Sequence, residues 1–159
     1  MNILEHISIS SMVLQDAENL KEHLTEMFDD FWNYEIFFEE IVNTTSSYLV
    51  AKLDNSFPHF TQKTNIIGFA GIKQIMDEAN IMNIVVRKDM RNLGIATKLL
   101  EALCEVSAKK GCTSITLEVN ENNLPAIHLY KKQNFQIIGK RKKYYHGIDD
   151  AIIMTKTLT

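Results

Sequence analysis

The segment Arg91-Asn92-Leu93-Gly94-Ile95-Ala96 has residue types that suit a site for an anion. An apolar stretch precedes it and a helical pattern follows it, so we expect the segment to open a helix. The first turn of a helix presents N–H groups that have no partner within the helix, and the helix dipole favours negative charge there. Gly94 and the small Ala96 would let a phosphate approach the backbone. Taken alone, the pattern also fits an ordinary tight turn.

Two other polar features could carry chemistry, but each has a simpler explanation. His128 could act as a base or bind a metal, yet no second His, Cys or paired carboxylate lies at ligand spacing. The basic run at residues 140–143 could bind nucleic acid, yet the chain shows no helix-turn-helix signal and its first third is acidic. We therefore expect no metal site, a solvated basic hairpin and no direct nucleic-acid binding.

The elements around residues 91–96 place the segment between a strand and a helix. Residues 79–86 are too continuously apolar for a strand with a wet face, which predicts a central strand. Apolar residues then recur at helical spacing until Gly111, which is placed to end that helix. Residues 114–119 alternate between apolar and polar, as a strand does. A strand–helix–strand unit of this kind implies that its two strands pair in parallel.

The rest of the chain predicts further helices and strands. Helices are expected at residues 14–28, 34–42 and 123–134, and strands at 48–51, 66–74, 135–141 and 151–157, with a long loop at 54–65. Tyr144 and Tyr145 fall in the predicted loop between the last two strands. The expected fold is a single α/β domain over residues 1–159. It would hold one mixed sheet, antiparallel in its N-terminal part, with a parallel pair at the centre and helices on both faces.

Length and composition agree with one globular domain in the cytoplasm. The chain has 159 residues, of which 45% are hydrophobic and 23% charged, as is ordinary for a folded domain. Its two cysteines lack the spacing of a zinc site or a disulfide framework, so we expect free thiols in a reducing compartment. We see neither a signal peptide nor an apolar run long enough to span a membrane.

Segment 91–96 resembles the acetyl-CoA signature of the GNAT acetyltransferase superfamily. That signature is an Arg or Gln, two residues, Gly, one residue, and then Gly or Ala, placed between a strand and a helix. Further residues look like the RimI branch, which acetylates the N-terminal alanine of a small-subunit ribosomal protein: residues 117–119, 126–127, 129–130, 143–145 and 150–154, with Asn123 and Phe135. The resemblance is close over residues 66–156 and loose before them. Asn120, Asn134 and Asp149 depart from the residues usual in the family, and the loop at 54–65 is longer than expected.

The resemblance implies roles for particular residues. Acetyl-CoA would be the cosubstrate, with its pantetheine arm running as an extra strand along the backbone of Ile84, Val85 and Val86. Its pyrophosphate would lie on the turn and first helical residues, which are Arg91, Asn92, Leu93, Gly94, Ile95, Ala96 and Thr97. Asn123 would also bind the cofactor. Glu118 aligns with the proposed general base of the family and Tyr130 with its general acid.

Both implied roles are chemically sensible. An amine attacks a thioester only when it is neutral, and an α-amino group has a pKa near 8, so a carboxylate such as Glu118 or a water relay is a sufficient base. Departure of CoA produces a thiolate, which a tyrosine O–H such as that of Tyr130 can protonate or hydrogen-bond. A cross-strand charge and a ring packed on the sheet are the simpler interpretations of these two residues.

The acceptor is less well specified than the donor. Residues 1–60 carry 11 acids and 2 bases, whereas residues 61–159 carry 9 acids and 15 bases. An acidic first third that includes Trp32 would suit a cationic peptide end, and Tyr144 and Tyr145 could form the opposite wall. We therefore expect the N-terminus of a ribosomal protein as the acceptor. A small-molecule amine, a lysine side chain and a non-catalytic acyl-CoA-binding module remain alternatives.

Overall fold

The computed structural model describes residues 2–21, 28, 34–54 and 64–158, and it describes no side chains at residues 34–37. The strands of this part of the chain are β1 Ile7–Ser11, β2 Ser46–Leu53, β3 Ile66–Ile75, β4 Glu78–Val86, β5 Ser114–Asn120, β6 Gln136–Tyr145 and β7 Asp149–Thr157. The α-helices are α1 Leu14–Lys21, α2 Tyr34–Val42, α3 Ile95–Lys109 and α4 Leu124–Lys132. Short 3₁₀ helices occupy Ile3–His6 and Lys88–Met90.

The strands form one sheet in the order β1-β2-β3-β4-β5-β7-β6. Strand β2 is antiparallel to β1 and β3, while β4 and β5 pair in parallel from Glu78–Ser114 to Asn80–Thr116. The predicted mixed sheet with a central parallel pair is therefore confirmed. The last two strands hold a feature that the sequence did not reveal, because β7 lies between β5 and β6 and is antiparallel to both.

By their internal contacts the residues group into two compact units. The first unit contains Met1–Lys73 and Asn83–Leu103, and the second contains Gln74–Met82 and Cys104–Thr159. The first unit thus holds β1, β2, α1, α2 and the turn at residues 91–96. The second holds β5, α4, β6 and β7.

Neighbouring residues of β3 show how helices cover both faces of the sheet in the first unit. The side chain of Phe69 is buried in a cluster with Leu20 of α1. Its neighbour Gly68 has Leu99 and Ile95 of α3 close to the position where a Cβ would lie. Because successive strand residues point to opposite faces, α1 and α3 lie on opposite faces of this sheet.

The predicted ends of the helices agree with the observed capping. Gly111, with φ +85°, follows α3, and the Cys112 N–H donates to the Ser107 carbonyl oxygen at 3.0 Å. Asn123 caps α4, since its side-chain oxygen accepts from the Ala126 N–H at 3.3 Å. Asn134 ends this helix with a left-handed φ of 69°.

Two expectations are corrected. Tyr144 and Tyr145 belong to β6 rather than to a loop, because the strand continues past Arg141 through an irregularity at which Lys143 takes a φ of 54°. Strand β4 has the fourth place in the sheet, but the Met82 side chain is 47% exposed, so the strand is not dry throughout.

Several predicted features fall outside the described residues. They are Trp32, residues 22–27 of the predicted first helix and residues 55–63 of the long loop. The single-domain organisation stays a prediction. Across the described ranges, no helix has the length and apolar character required to cross a membrane.

Candidate functional site

The turn at residues 91–96 has the geometry of an anion cradle at the start of a helix. Helix α3 begins at Ile95, directly after Gly94 with φ +88°, and Asn92 has a left-handed φ of 63°. The Lys98 N–H donates to the Gly94 carbonyl oxygen at 3.2 Å. The N–H groups of Ile95, Ala96 and Thr97 lie in the first turn of the helix, where N–H groups have no partner within the helix. These three N–H groups could therefore bind an anion.

Several contacts fix this turn to the sheet and to the N-terminal segment of the first unit. The Arg91 Nε donates to the Val86 carbonyl oxygen at 3.2 Å, and the Lys98 Nζ donates to the Leu4 carbonyl oxygen at 3.1 Å. A Cβ added at Gly94 would lie 3.4 Å from the Leu4 Cδ1. The segment Ile3–His6 therefore packs close to the turn, and it is the left-handed φ of Gly94 that disfavours a larger residue there.

A buried arginine braces the end of β4. Arg87 has only 1% of its surface exposed, and its Nε pairs with the Asp89 Oδ1 at 2.6 Å. Its Nη1 donates to the Thr64 carbonyl oxygen at 3.2 Å, and its backbone N–H donates to the Ile67 carbonyl oxygen at 2.8 Å. A buried charge requires such partners. Ile84, Val85 and Val86 immediately precede this brace, so the predicted pantetheine and pyrophosphate residues lie together in the first unit.

Glu118 lies on β5 in the second unit, opposite Ile153 of β7. Its Oε1 pairs with the Arg141 Nε at 3.0 Å, and the Glu118 and Arg141 side chains are 27% and 58% exposed. Ile153 pairs in turn with Gly139 of β6. Because Gly139 has no side chain, and Arg141 follows two residues later on the same face, the guanidinium reaches Glu118 diagonally across the three strands.

Arg141 is a site residue that sequence reasoning missed. It stood within the basic run at residues 140–143, which predicted only a solvated hairpin. Its alternation with Gly139 was visible, but the neighbour it contacts was not, because that depends on β7 lying between β5 and β6.

Two tyrosine side chains lie near this ion pair. The Arg141 guanidinium lies 5.7 Å from the centroid of the Tyr144 ring, and the Tyr144 and Tyr145 rings meet edge to face with centroids 5.1 Å apart. Burial raises the pKa of Tyr145, and the nearby Glu118 carboxylate raises that pKa further. Glu118, Tyr144 and Tyr145 are thus brought together with Arg141.

Tyr130 belongs to the same unit and is linked to this group through Tyr145. Its ring packs against Phe135 with centroids 5.9 Å apart. Burial, with a smaller contribution from Tyr145, raises the pKa of Tyr130 to about 12. The Tyr130 hydroxyl therefore stays protonated at neutral pH and can only be a hydrogen-bond or proton donor to an anion.

A polar network fixes the turn after β5 to the hairpin of β6 and β7. Asp150 accepts the Lys143 N–H at 2.9 Å, at the residue whose left-handed backbone precedes Tyr144. The Asn120 Nδ2 donates to the Asp149 Oδ2 at 3.2 Å. Two departures from the family pattern, Asn120 and Asp149, are therefore partners of each other.

The remaining predicted site residues have simple placements. Asn123 is exposed at the start of α4, where its side-chain oxygen serves as the helix cap. Trp32 lies outside the described residues, so its predicted contact with substrate stays a prediction.

Among the residues that the structure does describe, no three His, Cys, Asp or Glu side chains cluster in a way that could hold a metal ion. The absence of a metal from the reaction also stays a prediction.

Comparison with protein families gives a match for most of the chain. A model described as acetyltransferase (GNAT) family matches residues 12–135. This range includes the turn at 91–96, Glu118 and Tyr130.

Individual relatives and solved structures agree with that match. A Bacillus subtilis protein, named putative ribosomal protein bS18-alanine N-acetyltransferase, is 31% identical over 95% of either chain. An N-alpha-acetyltransferase of Saccharolobus solfataricus is 34% identical over 79% of this chain and 77% of the relative. The crystal structure of the ribosomal-protein-S18-alanine N-acetyltransferase from Escherichia coli superposes with a TM-score of 0.79 at 28% identity, covering 96% of this chain and 94% of that one. The predicted resemblance to the RimI branch is confirmed.

Proposed function

The chain belongs to the acetyltransferase (GNAT) family, and we propose that it transfers the acetyl group of acetyl-CoA to the α-amino group of a protein N-terminus. The observation that carries the proposal is the helix opening at Gly94. There the backbone supplies unpaired N–H groups for a pyrophosphate, and the left-handed φ of +88° restricts the position to glycine.

The residues of the first unit fit this cofactor. Three N–H groups at the start of α3 and the positive end of the helix dipole suit the phosphates of CoA. Ile84, Val85 and Val86 would offer backbone groups to the pantetheine arm, as a strand edge does for an extended ligand. In the second unit, Asn123 is also proposed to bind the cofactor, and it would use its amide nitrogen because its amide oxygen is the helix cap.

Glu118 is proposed as the base. When bound, acetyl-CoA supplies an acetyl thioester that a neutral amine can attack. The Glu118 carboxylate would accept the proton that the amine must lose, directly or through a water. Its ion pair with Arg141 would orient the carboxylate, and the Tyr144 ring lies beside the Arg141 guanidinium.

Tyr130 is proposed as the donor to the departing sulfur. A thiol has a pKa near 8.5, whereas that of Tyr130 is raised to about 12, so complete proton transfer from Tyr130 to a thiolate would be uphill. The raised pKa supports a narrower role than that of a general acid. Tyr130 would keep its proton and stabilise the thiolate by donating a hydrogen bond.

A protein N-terminus is the acceptor that several observations support. The named activities of the relatives concern N-terminal amines. The first 60 residues carry a net charge of −9, from 11 acids and 2 bases, which suits a cationic peptide end. Within this proposal the acceptor is the N-terminal alanine of a ribosomal protein, and the enzyme works in the cytoplasm.

The acceptor is tested with acetyl-CoA and four classes of amine. These are peptides that begin with the N-terminal sequences of ribosomal proteins, the same peptides with a blocked N-terminus and a free lysine, polyamines, and aminoglycosides. We expect turnover only with the unblocked peptides. Turnover confined to polyamines or aminoglycosides would refute the peptide acceptor, and turnover of the blocked peptides would move the acceptor to lysine. CoA binding by calorimetry without turnover on any of these amines would favour a non-catalytic module.

A further inference from the structure

The side-chain amide of Asn83 on β4 has a paired nitrogen and a buried oxygen without a hydrogen-bond partner among the described residues. The Asn83 Nδ2 donates to the Tyr48 hydroxyl oxygen at 2.8 Å. The Asn83 Oδ1 is also buried, but no hydrogen-bond donor reaches it from the described residues. Buried amide oxygens in native proteins nearly always have a donor, so an exception calls for an explanation. A ligand N–H would provide one.

The surrounding residues hold the Asn83 amide in a fixed orientation. Tyr48 lies on β2 opposite Gly71 of β3, and a Cβ at Gly71 would collide with the Tyr48 ring. The absence of that Cβ lets the ring cross β3 and place its hydroxyl against β4. Burial raises the pKa of Tyr48 to about 12, and its hydroxyl oxygen accepts from the Asn83 amide nitrogen at 2.8 Å. With the amide nitrogen paired in this way, the amide oxygen is the buried atom without a donor in the described part of the chain.

The chemistry around this atom favours a ligand that donates hydrogen bonds. The Glu40 carboxylate of α2 is close enough to raise the pKa of Tyr48 further, and it accepts from the Ser46 hydroxyl at 2.7 Å. Asn83 is two residues from Val85, so both side chains point to the same face. Val85 is in the cluster with Leu20 of α1, so this is the face covered by the acidic N-terminal region. A carboxylate and an unpaired amide oxygen suit an amine better than a phosphate-bearing cofactor.

We propose that the Asn83 Oδ1 accepts a hydrogen bond from an N–H of the acceptor's N-terminal residue, and that Tyr48 positions the Asn83 amide for this contact. Asn83 would then be a binding and specificity residue for the acceptor. The proposal rests on the proposed function, because it assumes an amine-bearing peptide as the acceptor. It is consistent with the position of Asn83 directly before Ile84, where the arm that carries the acetyl group is proposed to run.

The test compares Asn83→Leu, Asn83→Ala and Tyr48→Phe with the wild type. Asn19→Leu is the control, because this substitution makes the same chemical change at an exposed position on α1. The probe is a short peptide that begins with alanine, and its affinity is measured by calorimetry in the presence of CoA, beside its KM in the acetyl-transfer assay. The affinity for acetyl-CoA is measured separately for every variant.

Both Asn83 variants are expected to bind the peptide about tenfold more weakly, as the loss of one hydrogen bond predicts. Tyr48→Phe should weaken binding in the same direction but less, because it removes only the group that orients the amide. Acetyl-CoA affinity should stay within about twofold of the wild type. The melting temperature of Asn83→Leu should change little, since the substitution removes the unsatisfied amide oxygen but also the donor to the Tyr48 hydroxyl, and these two effects oppose each other.

Three results would overturn the inference. Unchanged peptide affinity in both Asn83 variants would mean that the amide oxygen binds solvent or nothing. A parallel loss of acetyl-CoA affinity would mean that it binds an amide of the pantetheine arm. A wild type that does not bind the peptide at all would overturn the acceptor contact together with the proposed acceptor. A wild type that binds the peptide, with weaker binding by the Asn83 variants but no acetyl transfer, would support the contact and refute the proposed reaction.

Discussion

Replacing Glu118 by Gln removes the proposed base with the smallest possible change of shape. Gln has the same length as Glu, and it can still accept a hydrogen bond from Arg141, which now lies 3.0 Å from the carboxylate. What is lost is the negative charge and the ability to take a proton. Because the Arg141 side chain is 58% exposed, loss of the ion pair should lower the free energy of unfolding by about 1 kcal/mol or less. The fold should therefore survive the substitution.

The kinetic effect should be much larger than this change in stability, and it should depend on pH. A positioned base contributes about 100-fold or more to the rate, so we expect turnover at pH 7 to fall by about 100-fold. An α-amino group with a pKa near 8 is about one-tenth neutral at pH 7 and about nine-tenths neutral at pH 9. At high pH, most of the amine is thus already deprotonated in solution, and less depends on proton removal by Glu118. The deficit of the Gln variant should narrow by up to about tenfold between these two pH values.

Steady-state kinetics with an N-terminal peptide at pH 7, 8 and 9 measure this deficit, and calorimetry measures the affinity for acetyl-CoA. Arg141→Gln is the matched control, because it breaks the same ion pair and leaves the carboxylate in place. Glu105→Gln on α3 controls for the charge change at an exposed ion pair. Equal losses in Glu118→Gln and Arg141→Gln would refute the base and leave only a positioning role for the pair. A deficit that does not change with pH would refute proton removal as the function of Glu118.

Three further predictions follow from the structure. Tyr130→Phe should lower turnover by about tenfold or more in steady-state kinetics with acetyl-CoA affinity unchanged, since one donor to the leaving sulfur is lost; unchanged turnover would contradict its role. Gly94→Val should weaken acetyl-CoA binding in calorimetry and cost about 1–2 kcal/mol of stability in denaturant unfolding, whereas Gly111→Ala, also left-handed at φ +85°, should change only stability. The pKa values of Tyr48 and Tyr130 are about 12 in the folded state and 10 in the unfolded state, so the unfolded chain loses these protons first as the pH rises. The free energy of unfolding, measured by denaturant titration, should therefore be unaffected below pH 10 and fall as the pH rises towards 12. In Tyr48→Phe this fall with pH should be smaller.

The elements that the sequence predicted well are those whose signals are local. Helix α3 was bounded correctly because an apolar stripe sets its length, while Gly94 and Gly111 occupy the left-handed positions at its two ends. Asn123 and Asn134 marked α4 for similar reasons of capping. The parallel pairing of β4 and β5 followed from the crossover helix between them. None of these inferences required knowledge of which distant strands are neighbours.

Long-range pairing was not predictable in this way. Nothing local distinguishes a β7 placed at the edge from a β7 placed between β5 and β6, since both satisfy an antiparallel hairpin. The continuation of β6 to Tyr145 depends on the Asp150 side chain, which accepts the Lys143 N–H and stabilises a left-handed residue that the pattern of charges does not indicate. Missing these two features left Arg141 without a partner and placed Tyr144 in a loop.

The same difference explains why the donor could be inferred from the sequence with fewer assumptions than the acceptor. The proposed donor site is built mainly from backbone groups. Their conformation can be inferred from residue types that favour unusual φ angles, such as the glycine at Gly94. The proposed acceptor contacts are side-chain groups that depend on strand order and register, as the diagonal from Glu118 to Arg141 and the reach of Tyr48 across Gly71 illustrate. The hydrogen bond between Asn120 and Asp149 is a further contact of this kind, because it too depends on which strands are neighbours. The turn at residues 91–96 is therefore recognisable from the sequence alone, whereas the proposed acceptor contacts are not.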